Sequence, residues 1–248
     1  MQAAKSHVQG GFAMATIDVR ELRTPAEMAD AVQLQFDTWG QTDATPANQL
    51  VISVKAGGHV LGAFDGDRLV SFAYGFPAVV PGQEPWIASH MLATRAEYAG
   101  QGIGRLVKWR QRAWALERGF RRITWTFDPL EARNAHLNLN LLGAMASEYI
   151  VDCYGPMDDK LNRGLPSDRL MADWRLDSLR VQAAERGERP SLEGRRVLVP
   201  SDFQSLRRRS PEEALAERLR VRGELQPLLA QGLTCTAFDR DQAAFVLR

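Results

Sequence analysis

Three consecutive stretches decide the fold: Trp86-Ile87-Ala88-Ser89-His90-Met91-Leu92-Ala93-Thr94, then the turn closing on Ala99-Gly100-Gln101-Gly102-Ile103-Gly104, then the run that starts at Arg105. The first is a short apolar run bounded by turn residues, and it reads as a strand. The third carries Leu106, Trp109, Ala113 and Leu116 at helical spacing, predicting one apolar stripe on a helix from about Arg105 to Arg118 that stops at Gly119. Between them, glycines at 100, 102 and 104 remove three Cβ atoms just ahead of the helix, so the backbone can take positive φ values and let a ligand come close. Amides at a helix start lack intrahelical acceptors, and together with the helix dipole they form an anion site. A phosphate or pyrophosphate is the natural occupant. The spacing is not a P-loop, since no Gly-Lys-Ser/Thr follows, and not a dinucleotide fingerprint, since no further glycine stands at 105 to 107. On spacing alone, a flexible connection without ligand is equally open.

Outward from this stretch the chain alternates strands and helices. Ile17 to Leu22 reads as a first strand, and Thr24-Pro25 opens a helix whose Met28, Val32, Phe36 and Trp39 share a face. Gly40 to Pro46 reads as a loop. Val60 to Phe64 and Leu69 to Phe76 flank Asp65-Gly66-Asp67 as a hairpin. On the far side, Arg122 to Asp128 reads as a strand, Asn134 to Leu142 as a short helix closed by Gly143, and Tyr149 to Tyr154 and Arg169 to Leu176 as further strands. Val181 to Gly194 is charged and Pro/Gly-bearing, so it reads as linker. Beyond it come a strand at Val197 to Val199, a helix over Pro211 to Leu229 with Leu215, Leu219, Leu225 and Leu229 on one side, and strands at Leu233 to Phe238 and Ala243 to Leu247. The predicted organisation is a leader over 1–15, a main domain over 16–178, a linker over 179–194 and a small strand-helix-hairpin extension over 195–248.

Bulk properties bound the function. The 248 residues are 45% hydrophobic and 25% charged, ordinary for a globular chain that buries its own core. A net charge of +1 argues against nucleic acid as partner. No apolar run reaches membrane-span length, so no membrane partner is expected. Cys153 and Cys235 are far apart and in no ligand spacing, which fits two free thiols in a reducing cytoplasm. His7, His59, His90 and His136 are scattered, and no metal site is expected.

The segment Ala99-Gly100-Gln101-Gly102-Ile103-Gly104 resembles the motif Arg/Gln-x-x-Gly-x-Gly/Ala of the GNAT superfamily of N-acetyltransferases, with Ala99 standing where Arg or Gln is usual. The order of hairpin, strand, motif, helix, strand and helix matches too, over roughly Ile17 to Leu176. The resemblance implies an α/β (α+β) fold with a mixed, mostly antiparallel central sheet flanked by helices, and acetyl-CoA as co-substrate with no metal. It implies a β-bulge on the strand before the motif. Met91, Leu92 and Ala93 would pair with the pantetheine arm, Ala99, Gly100, Gln101, Gly102, Ile103, Gly104 and Arg105 would wrap the pyrophosphate, and Asn134 and Asn138 would bond the arm.

Direct acyl transfer needs a positioned amine, a proton acceptor and a donor to the carbonyl oxygen. His90 on the same strand is the first choice as base, with a hydrogen-bonded core histidine as the alternative. Asp128, at a strand end, is a candidate to orient the amine or act as base, or else a turn residue before Pro129. The family's usual acid, a Tyr on the later helix, falls on Leu139; Tyr149 and Tyr154 are the candidate substitutes, and Tyr154 is the one taken forward. Lys108 and Arg110 read as a solvated helix face, or else lie near the phosphates. The expected reaction is acetyl transfer to a primary amine of a small molecule or amino acid, with a homodimer left open. The alternative is a non-catalytic acyl-CoA-binding module of the same fold.

Overall fold

The structure is a computed structural model that describes residues 17–40, 44–157 and 164–248. The expected leader over 1–15 and part of the Gly40 to Pro46 loop lie outside the described residues. The chain divides into two compact units, one reaching to Arg121 and the other running Arg122–Arg248.

The first unit is built on four strands in sequence order: β1 (Ile17–Glu21), β2 (His59–Asp65), β3 (Arg68–Ala78) and β4 (Trp86–Thr94), each antiparallel to the next. The hairpin between β2 and β3 turns where Gly66, at φ 58°, supplies a backbone conformation that side chains resist. One face of these strands is covered by α1 (Pro25–Trp39) and α2 (Ala47–Lys55), a helix the sequence reading passes over. Thr24 caps α1 with a full capping box: Glu27 N donates to the Thr24 hydroxyl and Thr24 N donates to the Glu27 carboxylate. Met28, Leu34, Leu50, Val60, Phe72 and Tyr74 form the core beneath these helices.

After β4 the chain passes through a single turn of 3-10 helix, Ala96–Tyr98, and enters α3 (Ile103–Glu117). The buried residues of α3 are Ile103, Val107, Lys108, Gln111, Trp114 and Ala115. This corrects the predicted stripe of Leu106, Trp109, Ala113 and Leu116, all only half-buried. The helix begins two residues earlier and its core face is rotated, because that face accepts two polar residues, Lys108 and Gln111, that a hydrophobic pattern skips.

The second unit also consists of antiparallel strands, ordered β5 (Arg122–Phe127), β7 (Arg169–Arg175), β6 (Met145–Ile150), β9 (Cys235–Asp239), β10 (Ala244–Leu247) and β8 (Arg195–Leu198). The strand expected at Tyr149 to Tyr154 sits earlier, at β6. Between β5 and β6 lie the short α4 (Ala132–Ala135) and a π-helical turn, His136–Leu141, ended by Gly143 at φ 73°. Further helices are α5 (Leu179–Glu185), α6 (Phe203–Arg209) and α7 (Pro211–Ala230). On α7 the buried face is Ala214, Arg218, Val221, Leu225, Leu228 and Leu229. Leu215 and Leu219, expected on the packed side, are 38% and 47% exposed, so the face is turned to bring Arg218 inward.

Candidate active site

In the first unit the strand-turn-helix forms as the sequence implies. Gly100 and Gly102 take φ of 80° and 81°, and Gly102 is the left-handed N-cap of α3. The first helical hydrogen bond runs from Leu106 N to Gly102 O at 3.0 Å. The amides of Ile103, Gly104 and Arg105 therefore precede the helical ladder and point out of its positive end. A Cβ built on Gly102 meets nothing within 4 Å, so the turn is open on that side. Gly104 sits against β4, where a Cβ would lie 3.6 Å from Thr94 Oγ1 and 3.7 Å from the Leu92 side chain.

The turn is staked from below. Arg95 donates to Leu69 O at 2.8 Å and pairs with Asp37 at 3.0 Å. Arg68 reaches the Glu97 carboxylate at 2.5 Å, Tyr98 donates to Asp65 at 2.6 Å, and the Gln101 amide donates to Glu97 O at 3.0 Å. Residues of the β2–β3 hairpin thus hold the loop, which lowers the ordering cost of binding a polyanion there.

The expected bulge on β4 is present. Tyr74 pairs with Met91 and Gly75 with Ser89, so His90 is the extra residue without a partner in the β3 register. Its ring rests on Tyr74 and Phe76, at centroid distances of 6.1 and 6.3 Å. Its residue surface is exposed, yet this apolar flank desolvates the imidazole and lowers its pKa below the ordinary histidine value. His90 follows Ser89, whose side chain is buried on the α3 face, and precedes Met91, Leu92 and Ala93 on the way to the turn.

Lys108 is not on a solvated face. It is 2% exposed and bonded to Ser89 and Gln111, and burial pushes its pKa well below that of an ordinary lysine. Arg110, half-buried, pairs with Glu117 at 3.5 Å.

The other predicted residues belong to the second unit. Asp128 follows β5 and is fully engaged: Arg218 donates to both its oxygens at 2.7 and 2.6 Å, and Leu130 N donates to one at 2.8 Å. Tyr154 shares a 2.6 Å hydrogen bond with Thr126 and carries the Arg169 guanidinium 5.5 Å over its ring; Arg169 also reaches to 3.8 Å from Asp128. Tyr149, the other tyrosine considered, donates to the buried Asp168 at 2.7 Å, and burial with that carboxylate pushes its pKa above the ordinary tyrosine value. Leu139 is fully buried. Asn138 is 4% exposed on the π-helical turn, and its carbonyl accepts from Ala144 N at 2.9 Å. Asn134 is exposed on α4, inside the helix that follows Glu131. Sequence reasoning missed Arg218 and Arg222, whose only trace is their four-residue spacing on α7. Among the described residues no group of three metal-ligating side chains is gathered, and no helix is long and apolar enough to cross a membrane.

Residues 19–139 match the family model described as "Acetyltransferase (GNAT) family". No curated protein sequence matches the chain. Among solved structures, it resembles the ribosomal-protein-S18-alanine N-acetyltransferase of Escherichia coli at 13% identity, with a TM-score of 0.52, 66% of this chain and 96% of that one covered. It resembles a putative acetyltransferase from Salmonella typhimurium, solved with its cofactor acetyl-CoA, at 14% identity and TM-score 0.52, covering 65% and 95%. It resembles Arabidopsis thaliana Naa50 in complex with the bisubstrate analogue CoA-Ac-MVNAL at 12% identity and TM-score 0.52, covering 63% and 97%. At these identities the structural likenesses establish the fold.

Proposed function

We propose that this chain, a member of the GNAT acetyltransferase superfamily, moves an acetyl group from acetyl-CoA directly to a primary amine of a small molecule or amino acid. The observation that carries this reading is the bulge at His90 on a strand that runs into an open, left-handed glycine turn at the N-terminus of α3. The residues fit acetyl-CoA. The amides of Ile103, Gly104 and Arg105, with the backbone of Ala99 to Gly102, receive the pyrophosphate, and the backbone of Met91, Leu92 and Ala93 receives the amides of the pantetheine arm.

In the reaction the amine nitrogen attacks the thioester carbonyl, the new C–N bond forms and the C–S bond breaks. His90, neutral at physiological pH because its pKa is lowered, takes the proton from the amine. A backbone amide near Leu92 stabilises the oxygen as charge builds. The departing thiolate needs one proton, and Tyr154 is the donor proposed from the sequence. Asp128 stays the sequence's candidate to orient the amine or act as base, although Arg218 already donates to both its oxygens.

The test is thiol release from acetyl-CoA against a panel of amines, alongside calorimetry with acetyl-CoA on the wild type and Gly102→Glu. Turnover with at least one amine, and loss of binding in the variant, are expected. Binding without turnover on any amine would leave the non-catalytic acyl-CoA module as the reading; unchanged affinity in Gly102→Glu would remove the turn assignment.

A further inference from the structure

The bulge carrying His90 is tied to α3 by a buried polar cluster that the proposed chemistry does not use. Lys108 and Gln111, one turn apart on α3, face inward. The Lys108 Nζ donates to Gln111 Oε1 at 2.6 Å and to Ser89 Oγ at 3.2 Å. The Gln111 amide nitrogen donates to Ser89 Oγ at 3.0 Å and to His59 Nε2 at 2.7 Å. All four side chains are buried, at 2% exposure for Lys108, 0% for Gln111, 6% for Ser89 and 1% for His59. His59 comes from β2, packs on Trp114 at 4.2 Å, and is kept neutral by burial and by the Lys108 and Arg118 charges.

Burying an amine this deeply is costly, and an apolar residue of the same length would fill the space without that cost. The geometry says what the amine holds. Ser89 is the residue before the bulge and points toward α3, whereas the His90 ring lies on Tyr74 and Phe76. Tyr74 belongs to the opposite face, where its hydroxyl bonds Ser53 of α2 at 2.6 Å. A bulge lacks one pairing; here two hydrogen bonds from α3, and a third that Ser89 Oγ donates to Gln111 Oε1 at 3.3 Å, fix the side chain next to it. The same helix presents the glycine turn at its N-terminus.

We propose that Lys108 is a positioning residue: through Ser89 and Gln111 it locks the β4 bulge against α3 and so sets the His90 ring relative to the helix that holds the cofactor. The proposal rests on the acetyltransferase reading for its kinetic consequences and on nothing but this unit's geometry for its structural ones. Lys108→Met keeps the side-chain length and removes the donor. Ser89→Ala removes only the hydroxyl and guards against a folding failure in the first variant.

The experiment measures steady-state kinetics and the NMR titration of the His90 imidazole in wild type, both variants and the double variant. Expected are a drop in kcat of about tenfold to a hundredfold with KM for acetyl-CoA little changed, a double variant no worse than the poorer single, and a His90 titration midpoint that rises toward the ordinary histidine value as the loosened ring meets water. A unchanged His90 titration in both variants overturns the proposal, whatever the kinetics. Should the wild type bind acetyl-CoA yet turn over no amine, the acetyltransferase reading fails by itself, and the titration still decides whether Lys108 holds the bulge.

Discussion

His90 owes its character to a single extra residue in β4. The bulge turns its ring onto Tyr74 and Phe76, and the apolar flank favours the neutral form. A base works only when deprotonated, so a lowered pKa keeps it competent below the pH at which an ordinary histidine protonates. The acid limb of the kcat/KM profile is therefore expected below about pH 6.5. His90→Gln should remove that limb and lower kcat by about 10²–10⁴-fold; a limb that survives the change would assign the base elsewhere. His59 shows the same physics without the catalytic role. Burial, with the Lys108 and Arg118 charges, lowers its pKa from 6.5 to about 3. The unfolded chain then binds one more proton than the folded one between those values, so stability holds above pH 6.5 and falls as pH drops toward 3. Urea midpoints measured across that window should fall on acidification, and less so in His59→Leu if that variant folds.

At the scale of elements, α1 and α7 are held by opposite means. The α1 start is local: Thr24 and Glu27 cap one another, with Arg20 pairing to Glu27 at 2.6 Å. Burial acts against the Glu27 charge, but the Arg23 and Thr24 amides and the Arg20 side chain outweigh it and hold the pKa at about 2. That contribution is present above pH 4.5 and is lost as pH falls toward 2. Thr24→Ala should cost about 1 kcal/mol in chemical denaturation. By contrast, α7 is held by long-range charge pairs. Arg218 grips Asp128, and Arg222, one turn on, donates to both oxygens of the fully buried Asp168 at 2.8 and 2.7 Å. Arg218→Ala takes the bidentate partner from the half-buried Asp128, leaving it Leu130 N and Arg169 at 3.8 Å, and should cost about 3 kcal/mol. The expected ordering, Arg218→Ala well below Thr24→Ala in denaturant midpoint, is a direct comparison of the two devices.

For the molecule as a whole, the strands after residue 194 are part of the second unit's sheet. β9 pairs with β6 at Ala146 and Cys235, and β10 and β8 follow outward. A chain ended at residue 178 loses α7 with Arg218 and Arg222, and exposes β6 where β9 covered it. Such a chain is expected to lose the cooperative melt of the second unit by circular dichroism. An intact melt would show instead that 16–178 stands alone as a domain.

The sequence by itself determined the strand, glycine turn and helix, the β2–β3 hairpin and the α1 cap, because each depends on neighbours within a few residues: positive φ at Gly100 and Gly102, the turn at Gly66, the Thr24–Glu27 pair. It also placed β5, β7 and α7 close to their observed bounds. The tertiary structure alone decided which polar residues turn inward. Lys108 and Gln111 face the core because Ser89 and His59 meet them there, and Arg218 does so because Asp128 waits some 90 positions earlier in the chain. A hydrophobic pattern scores such residues as solvent-facing, since the desolvation that makes them exceptional is offset only by partners distant in sequence.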